Sequence, residues 1–281
     1  MVNWLQDLFP EVAAELGIRG LKGRPERYLR RLRNTSLKRA RMNVVLGERM
    51  ADRLVDGGVT KDRVRVIHHW ADGDVIRPVE ASANPLRAEW WLPHQFVVGY
   101  SGNLGQTHEF ETMLEAIRRL RTEEDIVFLF IGGGLKWSAF RKVIEKEGLR
   151  NVQFRPYQPR EQLALSMTAP DVHLVSLIPA LEGLIVLSKF YGVAAAGRPA
   201  VFIGDPDGEI SRILRETDSG MVVEPGDGEG LVRVIVRMKG DPELLKVMGA
   251  NARAAFEVRF DKGIGLEKWG EVCGSAEDGK R

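Results

Sequence analysis

The 281 residues contain a single cysteine, Cys273. A lone thiol forms no internal disulfide and supplies no Cys-rich metal site, which suits a reducing cytosol. No apolar run approaches the ~18 residues a bilayer-spanning helix needs, so the sequence offers no spanning helix. The opening, Met1-Val2-Asn3-Trp4-Leu5-Gln6-Asp7, lacks a charged segment followed by an apolar one and does not read as a signal peptide. The formal net charge is only +2, which by itself points to neither a nucleic-acid nor a membrane partner. Histidines are few. His68 and His69 are adjacent, so in a strand they point to opposite faces, and His173 sits in a strand as an expected core residue. No His/Asp/Glu spacing reads as a metal site, and no Ser/His/Asp or Cys/His arrangement stands out. No internal repeat recurs at a fixed period.

What remains is an ordinary core-forming chain, 44% hydrophobic and 28% charged, long enough for one large domain or two modest ones. Its charge is uneven. Arg19 to Arg41 holds ten Lys/Arg and one acid, Glu26. Tyr28, Leu29, Leu32 and Leu37 recur there at helical spacing. Such a helix is either a solvated face or a segment that sits on anionic lipid or phosphate.

Apolar runs and amphipathic stretches alternate along the chain. A strand end over Trp4–Leu8, a helix from Glu11 to Leu16, a strand at Asn43–Leu46, a helix at Glu48–Val55 and a strand at Val64–Ile67 form a β-α-β rhythm, hence parallel strands. Ala71 to Pro85 reads as a linker. Strands follow at Phe96–Tyr100, Ile126–Ile131, Val152–Phe154, Val172–Leu177, Ala200–Ile203 and Met221–Val223. Helices between them are expected from Thr107 or Glu109 to Leu120, at Trp137–Glu147, Arg160–Met167 and Val186–Ala196, and at Gly208–Glu216. Helices at Gly230–Met238 and Pro242–Phe256, a tail helix at Ile264–Val272 and a polar, frayed end from Gly274 to Arg281 complete the chain. The expected division is residues 1–78, 79–256 and 257–281.

Ligands of such α/β sheets bind outside the carboxyl ends of the strands. Gly102-Asn103-Leu104-Gly105 follows a strand there, with His108 as a helix N-cap or phosphate donor. Gly132-Gly133-Gly134 ends the next strand. Glycines in these places let backbone N–H groups approach a phosphate. The spacing is neither a dinucleotide fingerprint nor a Walker loop. Glu182-Gly183-Leu184 and Ser188-Lys189 lie on a third strand-to-helix connection. An acid among apolar neighbours suits a sugar hydroxyl, and a lysine acts as a point charge for a phosphate.

Six segments carry a family resemblance: Gln6–Glu11, Gly99–Gly105, Phe130–Gly134, Pro156–Glu161, Glu182–Leu184 with Ser188–Gly192, and Ala195–Pro199. They resemble retaining GT-B glycosyltransferases of family 4, narrowly the bacterial O-antigen, capsule and colanic-acid branch with its N-acetyl-fucosamine transferases. The resemblance implies an α/β GT-B fold. Residues 79–256 would be a Rossmann-like, doubly wound parallel sheet that binds a nucleotide sugar, and residues 1–78 the last part of an incomplete N-terminal Rossmann-like domain. It implies a donor that is a nucleotide-diphosphate sugar, UDP-linked, and a lipid-linked or saccharide acceptor. Gly102–Gly105 would lie by the diphosphate, Tyr157 and Gln158 by the base, Glu182 on the donor sugar and Lys189 on the diphosphate. Transfer would be metal-free, with retention. The location would be cytoplasmic, peripheral on the inner membrane face. Phe190 stands where the family has a second glutamate, Leu187 where it has proline, and His69 where it has asparagine. The family's first-domain histidine and acceptor site have no counterpart in residues 1–78, so a truncated start, a split gene or a separate partner chain is expected. Two other readings remain: a non-catalytic nucleotide-sugar-binding subunit, and a GT-B-like sugar epimerase.

Overall fold

Parallel strands need long crossovers, and helices are the usual ones. The computed structural model describes residues 1–274. Its first part runs β1 (Val2–Trp4), α1 (Glu11–Glu15), α2 (Arg24–Arg39), β2 (Met42–Val45), α3 (Glu48–Asp56) and β3 (Val64–Val66). These strands form a parallel sheet in the order β1-β2-β3. After α4 (Pro85–Glu89) follow β4 (Phe96–Asn103), α5 (Glu111–Arg119), β5 (Ile126–Gly133), α6 (Trp137–Lys146), β6 (Val152–Arg155) and α7 (Leu163–Thr168). The second half continues with β7 (Val172–Ser176), α8 (Lys189–Ala195), β8 (Ala200–Ile203), α9 (Glu209–Thr217) and β9 (Gly220–Val223). The order β6-β5-β4-β7-β8-β9 is parallel throughout. The chain winds outward from β4 through β5 to β6, then returns to β4's other side with β7. That reversal makes a switch point at the carboxyl ends of β4 and β7, where such sheets hold their ligands.

Burial explains why β5 is apolar at every position. Ile126, Phe128 and Phe130 pack with α5 and α6 on one face, while Val127, Leu129 and Ile131 pack with Leu86 and Trp90 on the other. A strand covered on both faces has no solvent side to alternate with. A further core joins Leu8, Val45 and Met50 of the first part to Leu184, Phe190 and Tyr191 of the second. Phe190, at the position of the family's second acid, is thus a core side chain.

The last helices return to the first sheet. α10 (Gly228–Gly240) and α11 (Pro242–Arg259) precede α12 (Lys262–Gly274). Val272 and Trp269 of α12 pack on Val44 and Ile67, and Trp4 meets the Trp269 ring edge-on at 5.1 Å. The expected frayed end past Gly274 lies outside the described residues.

Several boundaries shift for local reasons. The strand expected over Trp4–Leu8 ends at Trp4. The chain then turns across to the second part, where Leu8 N–H donates to Leu184 O (2.9 Å). α5 begins at Glu111, not Thr107 or Glu109, because the Glu109 carboxylate accepts from the N–H groups of Glu111 (2.9 Å) and Thr112 (3.2 Å). α8 begins at Lys189, three residues after Val186; Val186 and Leu187 are drawn into the core. The expected linker ends where the Asn84 side chain caps α4 at Leu86 N–H (3.0 Å). Below β4, buried Arg87 reaches Asp171 (2.8 Å) and the carbonyl of Ala169 (3.1 Å), tying α4 to β7.

Candidate functional site

The carboxyl ends of β4 and β5 converge on two glycines in register, Gly102 and Gly132. Their φ values are +125° and +137°, a region L side chains rarely adopt. A Cβ on Gly132 would lie 2.2 Å from Gly102 O. Only glycine lets these two backbones approach there. Gly133 packs against the exposed Tyr157 ring, whose Cε2 would stand 3.2 Å from a Cβ at Gly133. Leu104 is buried, and its N–H donates to Gly133 O (2.7 Å). Gly134 lies against Asn103 and Leu104, and Gly105 beside Asn103.

A cleft of about 310 Å³ opens over these strand ends. Ser101, Gly102, Tyr157, Gln158, Ser188 and Lys189 line it, with Met167 and Ile76 as apolar walls. The Ser101 hydroxyl is shielded from solvent and has no hydrogen-bond partner among the described residues. A buried unpaired hydroxyl costs free energy unless a ligand engages it.

Lys189, the first residue of α8, reaches back over β4. Its Nζ donates to Tyr100 Oη (2.6 Å) and His108 Nε2 (3.2 Å), and more loosely to Asn103 O (3.4 Å). It also stands 4.3 Å from the Tyr100 ring centre, a cation–π distance. The hydrogen bonds fix the proton positions. His108 Nδ1 faces Ser176 O (2.7 Å), a pure acceptor, so Nδ1 carries the proton and Nε2 presents its lone pair to the ammonium. Tyr100 donates to Asn103 O (3.0 Å) and accepts from Lys189. Burial pushes the Tyr100 pKa up and the His108 pKa down to about 4, so both stay neutral at pH 7.

Every acceptor on Lys189 is therefore uncharged, and among the described residues no carboxylate lies within 4 Å of its Nζ. Desolvation without a counter-charge lowers its pKa from 10.5 to about 7. An ammonium held this way lacks only an anion.

Glu182 turns away from this cleft. Its side chain is buried, and Oε1 accepts from Glu209 N–H (2.9 Å) at the start of α9. Burial first, then the nearby Glu209 and Asp205 carboxylates, raise its pKa. Arg53 of α3 donates to Glu182 O (2.6 Å), and Gly183 packs on Arg49 and Arg53. Leu184 is in the shared core. The sequence-identified residues thus fall into two groups. Gly102–Gly105, His108, Gly132–Gly134, Tyr157, Gln158, Ser188 and Lys189 gather at the cleft, whereas Glu182, Gly183 and Leu184 line the seam with the first part.

His108 is three residues short of α5 and caps nothing; it holds Lys189. His68 and His69 lie beyond β3 and flank Tyr191. His173 is buried, with Nε2 on Met167 O (2.8 Å). Among the described residues no group of three or more His, Cys, Asp or Glu side chains could hold a metal ion, and no helix is long and apolar enough to cross a membrane. Tyr100, Ser101 and Ser176 are site residues that spacing did not single out. Their signal was a polar side chain at the carboxyl end of an otherwise apolar strand.

The family model described as "Glycosyl transferases group 1" matches residues 87–255. The "probable glycosyltransferase WbjE" of Pseudomonas aeruginosa is 30% identical over 268 residues, 94% of this chain and 66% of that protein. The "putative colanic acid biosynthesis glycosyl transferase WcaI" of Escherichia coli (strain K12) is 29% identical over 231 residues, 79% of this chain and 56% of that one. This chain therefore spans two thirds or less of the length of these relatives. Among solved structures, a sucrose-phosphate synthase from Thermosynechococcus elongatus superposes with a TM-score of 0.78 at 19% identity, covering 99% of this chain and 68% of its own. Anabaena Alr3699/HepE in complex with UDP-glucose gives 0.77 at 17%, covering 98% and 72%. The parallel sheets and these neighbours place the fold in the GT-B class.

Proposed function

The chain belongs to the group 1 glycosyl transferases, and from that premise we propose that its cleft binds a nucleotide-diphosphate sugar as donor for transfer in cell-surface polysaccharide synthesis. The observation that carries this reading is Lys189: an ammonium at the edge of a cleft, ringed by neutral acceptors. An anion at Nζ would supply the missing counter-charge. The Ser101 hydroxyl and the Gly102–Gly105 turn, apart from the Leu104 N–H that already donates to Gly133 O, are assigned as further phosphate partners, and Tyr157 offers a ring on which a base can stack. UDP is the favoured nucleotide because Alr3699/HepE is described in complex with UDP and UDP-glucose. The polysaccharide assignment follows the name of WcaI.

As a glycosyl donor breaks its anomeric C–O bond, the electron pair leaves on the β-phosphate oxygen. A cation already aimed there stabilises the developing charge without reorganisation. Lys189 is assigned that role, and the reading requires no metal. In the family pattern, transfer proceeds with retention, on a lipid-linked or saccharide acceptor, and Glu182 touches the donor sugar. For Glu182 to do so, its carboxylate would have to leave Glu209 N–H. The proposal concerns the donor side, which residues 79–256 would form.

The test is calorimetry of the full chain with UDP, GDP and their sugars. Binding of a uridine diphosphate, weakened by a factor of about 10–100 in Lys189→Ala, is expected from the loss of one charge-assisted contact. No binding of any nucleotide to folded protein would reject the reading. Equal affinity of wild type and variant would reject the role of Lys189.

A further inference from the structure

The cleft beside Lys189 has an uncharged wall. Among the described residues no carboxylate lines the cleft, and Lys189 is the one charge in its lining. The acids that border the site in sequence are engaged elsewhere: Glu182 accepts from Glu209 N–H (2.9 Å) and Glu109 from Glu111 N–H (2.9 Å). Phe190, the residue after Lys189, is buried in the shared core. Gly192 stands on the Lys189 face of α8, three residues on. A Cβ there would meet Met167 Cε at 3.4 Å and Ile76 Cδ1 at 3.9 Å, so Gly192, Met167 and Ile76 form one apolar wall. Arg253 of α11 holds this wall in place, donating to Ile76 O (3.0 Å) and to Ala195 O at the end of α8 (2.7 Å). Of the polar lining groups, Ser166 donates to Leu163 O (3.1 Å) and Gln158 to Pro156 O (2.9 Å). Ser101 and Ser188 adjoin Gly102 and Lys189, at the phosphate end.

From this wall we infer that the donor cleft does not read the 2′-hydroxyl of the nucleoside, and that it takes 2′-deoxynucleotide diphosphate sugars, thymidine-diphosphate sugars among them, as well as uridine ones. The inference rests on the donor reading above and adds to it the class of nucleoside admitted. With a base on Tyr157 and a diphosphate at Lys189, the pentose between them lies against Gly192, Met167 and Ile76. Rossmann-like sites that bind ribose hold its 2′-hydroxyl with an acid; this wall presents CH groups instead. A site built to hydrogen-bond a hydroxyl rejects the analogue lacking it by a factor of about 10⁴ or more, because its own buried polar groups are then left unpaired. The wall at Gly192 has no such group to strand, so removing the 2′-hydroxyl changes affinity little.

The experiment is calorimetry of the full chain with UDP, 2′-deoxyuridine diphosphate and thymidine diphosphate, in wild type and in Gly192→Ser. The three nucleotides are expected to bind wild type within about threefold of one another. A loss of more than about threefold from UDP to its deoxy form, or from that to thymidine diphosphate, overturns the inference and leaves the donor reading standing. Binding of none of the three to folded protein rejects the donor reading itself, and the inference with it. Gly192→Ser sets a hydroxyl on the wall, at a site where a Cβ finds ordinary contact distances; a matching thermal midpoint confirms its fold. It should create a preference for UDP over the deoxy form of about three- to tenfold, the worth of one hydrogen bond. An unchanged ratio in this variant means that the pentose does not face Gly192, and overturns the inference.

Discussion

If Lys189 owes its low pKa to burial among neutral groups, nucleotide binding must be linked to protons near neutrality. In the free protein the ammonium titrates at about 7. Beside a diphosphate the charged form is stabilised and the pKa rises again, so the site binds in its protonated form. The sign follows: affinity is level below pH 7 and falls up to tenfold per unit above it. Between pH 6 and 8.5 the free protein's unprotonated fraction grows enough to weaken binding about 30-fold, roughly 2 kcal/mol. A solvent-facing lysine with the ordinary value of 10.5 would give a flat line over the same window. The other groups at the ammonium do not interfere, since His108 titrates at about 4 and Tyr100 above its ordinary value. The assay is isothermal titration calorimetry with UDP-glucose, whose diphosphate is esterified at both ends. Repeating it at pH 8 in two buffers of different ionisation enthalpy counts protons, and about 0.9 should be taken up per nucleotide. Lys189→Met should bind weakly and without slope. A pH-independent affinity in the wild type, with no buffer dependence in the heat, would refute the electrostatic account of the site.

Tyr100→Phe removes the nearest acceptor of the ammonium. It should lower the Lys189 pKa further and move the break in the affinity–pH curve below 7, with a loss of about 1.5–3 kcal/mol in stability, read by urea denaturation. Gly132→Ala places a methyl against Gly102 O at a positive φ. It should destabilise by about 1–3 kcal/mol or more and depress the thermal midpoint, together with nucleotide binding. Glu182→Ala strands the buried Glu209 N–H, at a cost of about 1–3 kcal/mol by thermal denaturation, whereas Glu182→Gln keeps an acceptor there and should restore stability.

The parallel sheet was legible because its strands announce themselves. Ile126–Ile131 is buried on both faces and apolar at every position, and Val172–Ser176 is buried throughout with only His173 and Ser176 polar. The glycine pairs at the ends of β4 and β5 were legible too, since a backbone that must approach another so closely accepts no other residue. The neighbours of Lys189 were not. His108 lies 81 positions before it, and only the β4–β7 adjacency brings them together, which no local pattern encodes. Glu182 was misleading in a similar way. Its apolar surroundings signalled burial correctly, yet its partner is a backbone N–H contributed by α9, far down the chain. The start of α5 drifted because the Glu109 side chain, outside the helix, took up the first N–H groups.

The return of α12 to the first sheet has a mechanical consequence. The chain crosses between the two sheets twice, once in the segment after β3 and once between α11 and α12. The crossings are stitched to each other: Ala71 N–H donates to Phe260 O (3.2 Å), and Lys262 N–H to Ala71 O (2.9 Å). Two straps fastened side by side share any load placed on either: sliding one sheet past the other would shear both bonds at once. Together with the buried core that Leu8, Val45 and Met50 share with Leu184, Phe190 and Tyr191, they hold the seam where Glu182 meets α3 and α9 in a fixed register.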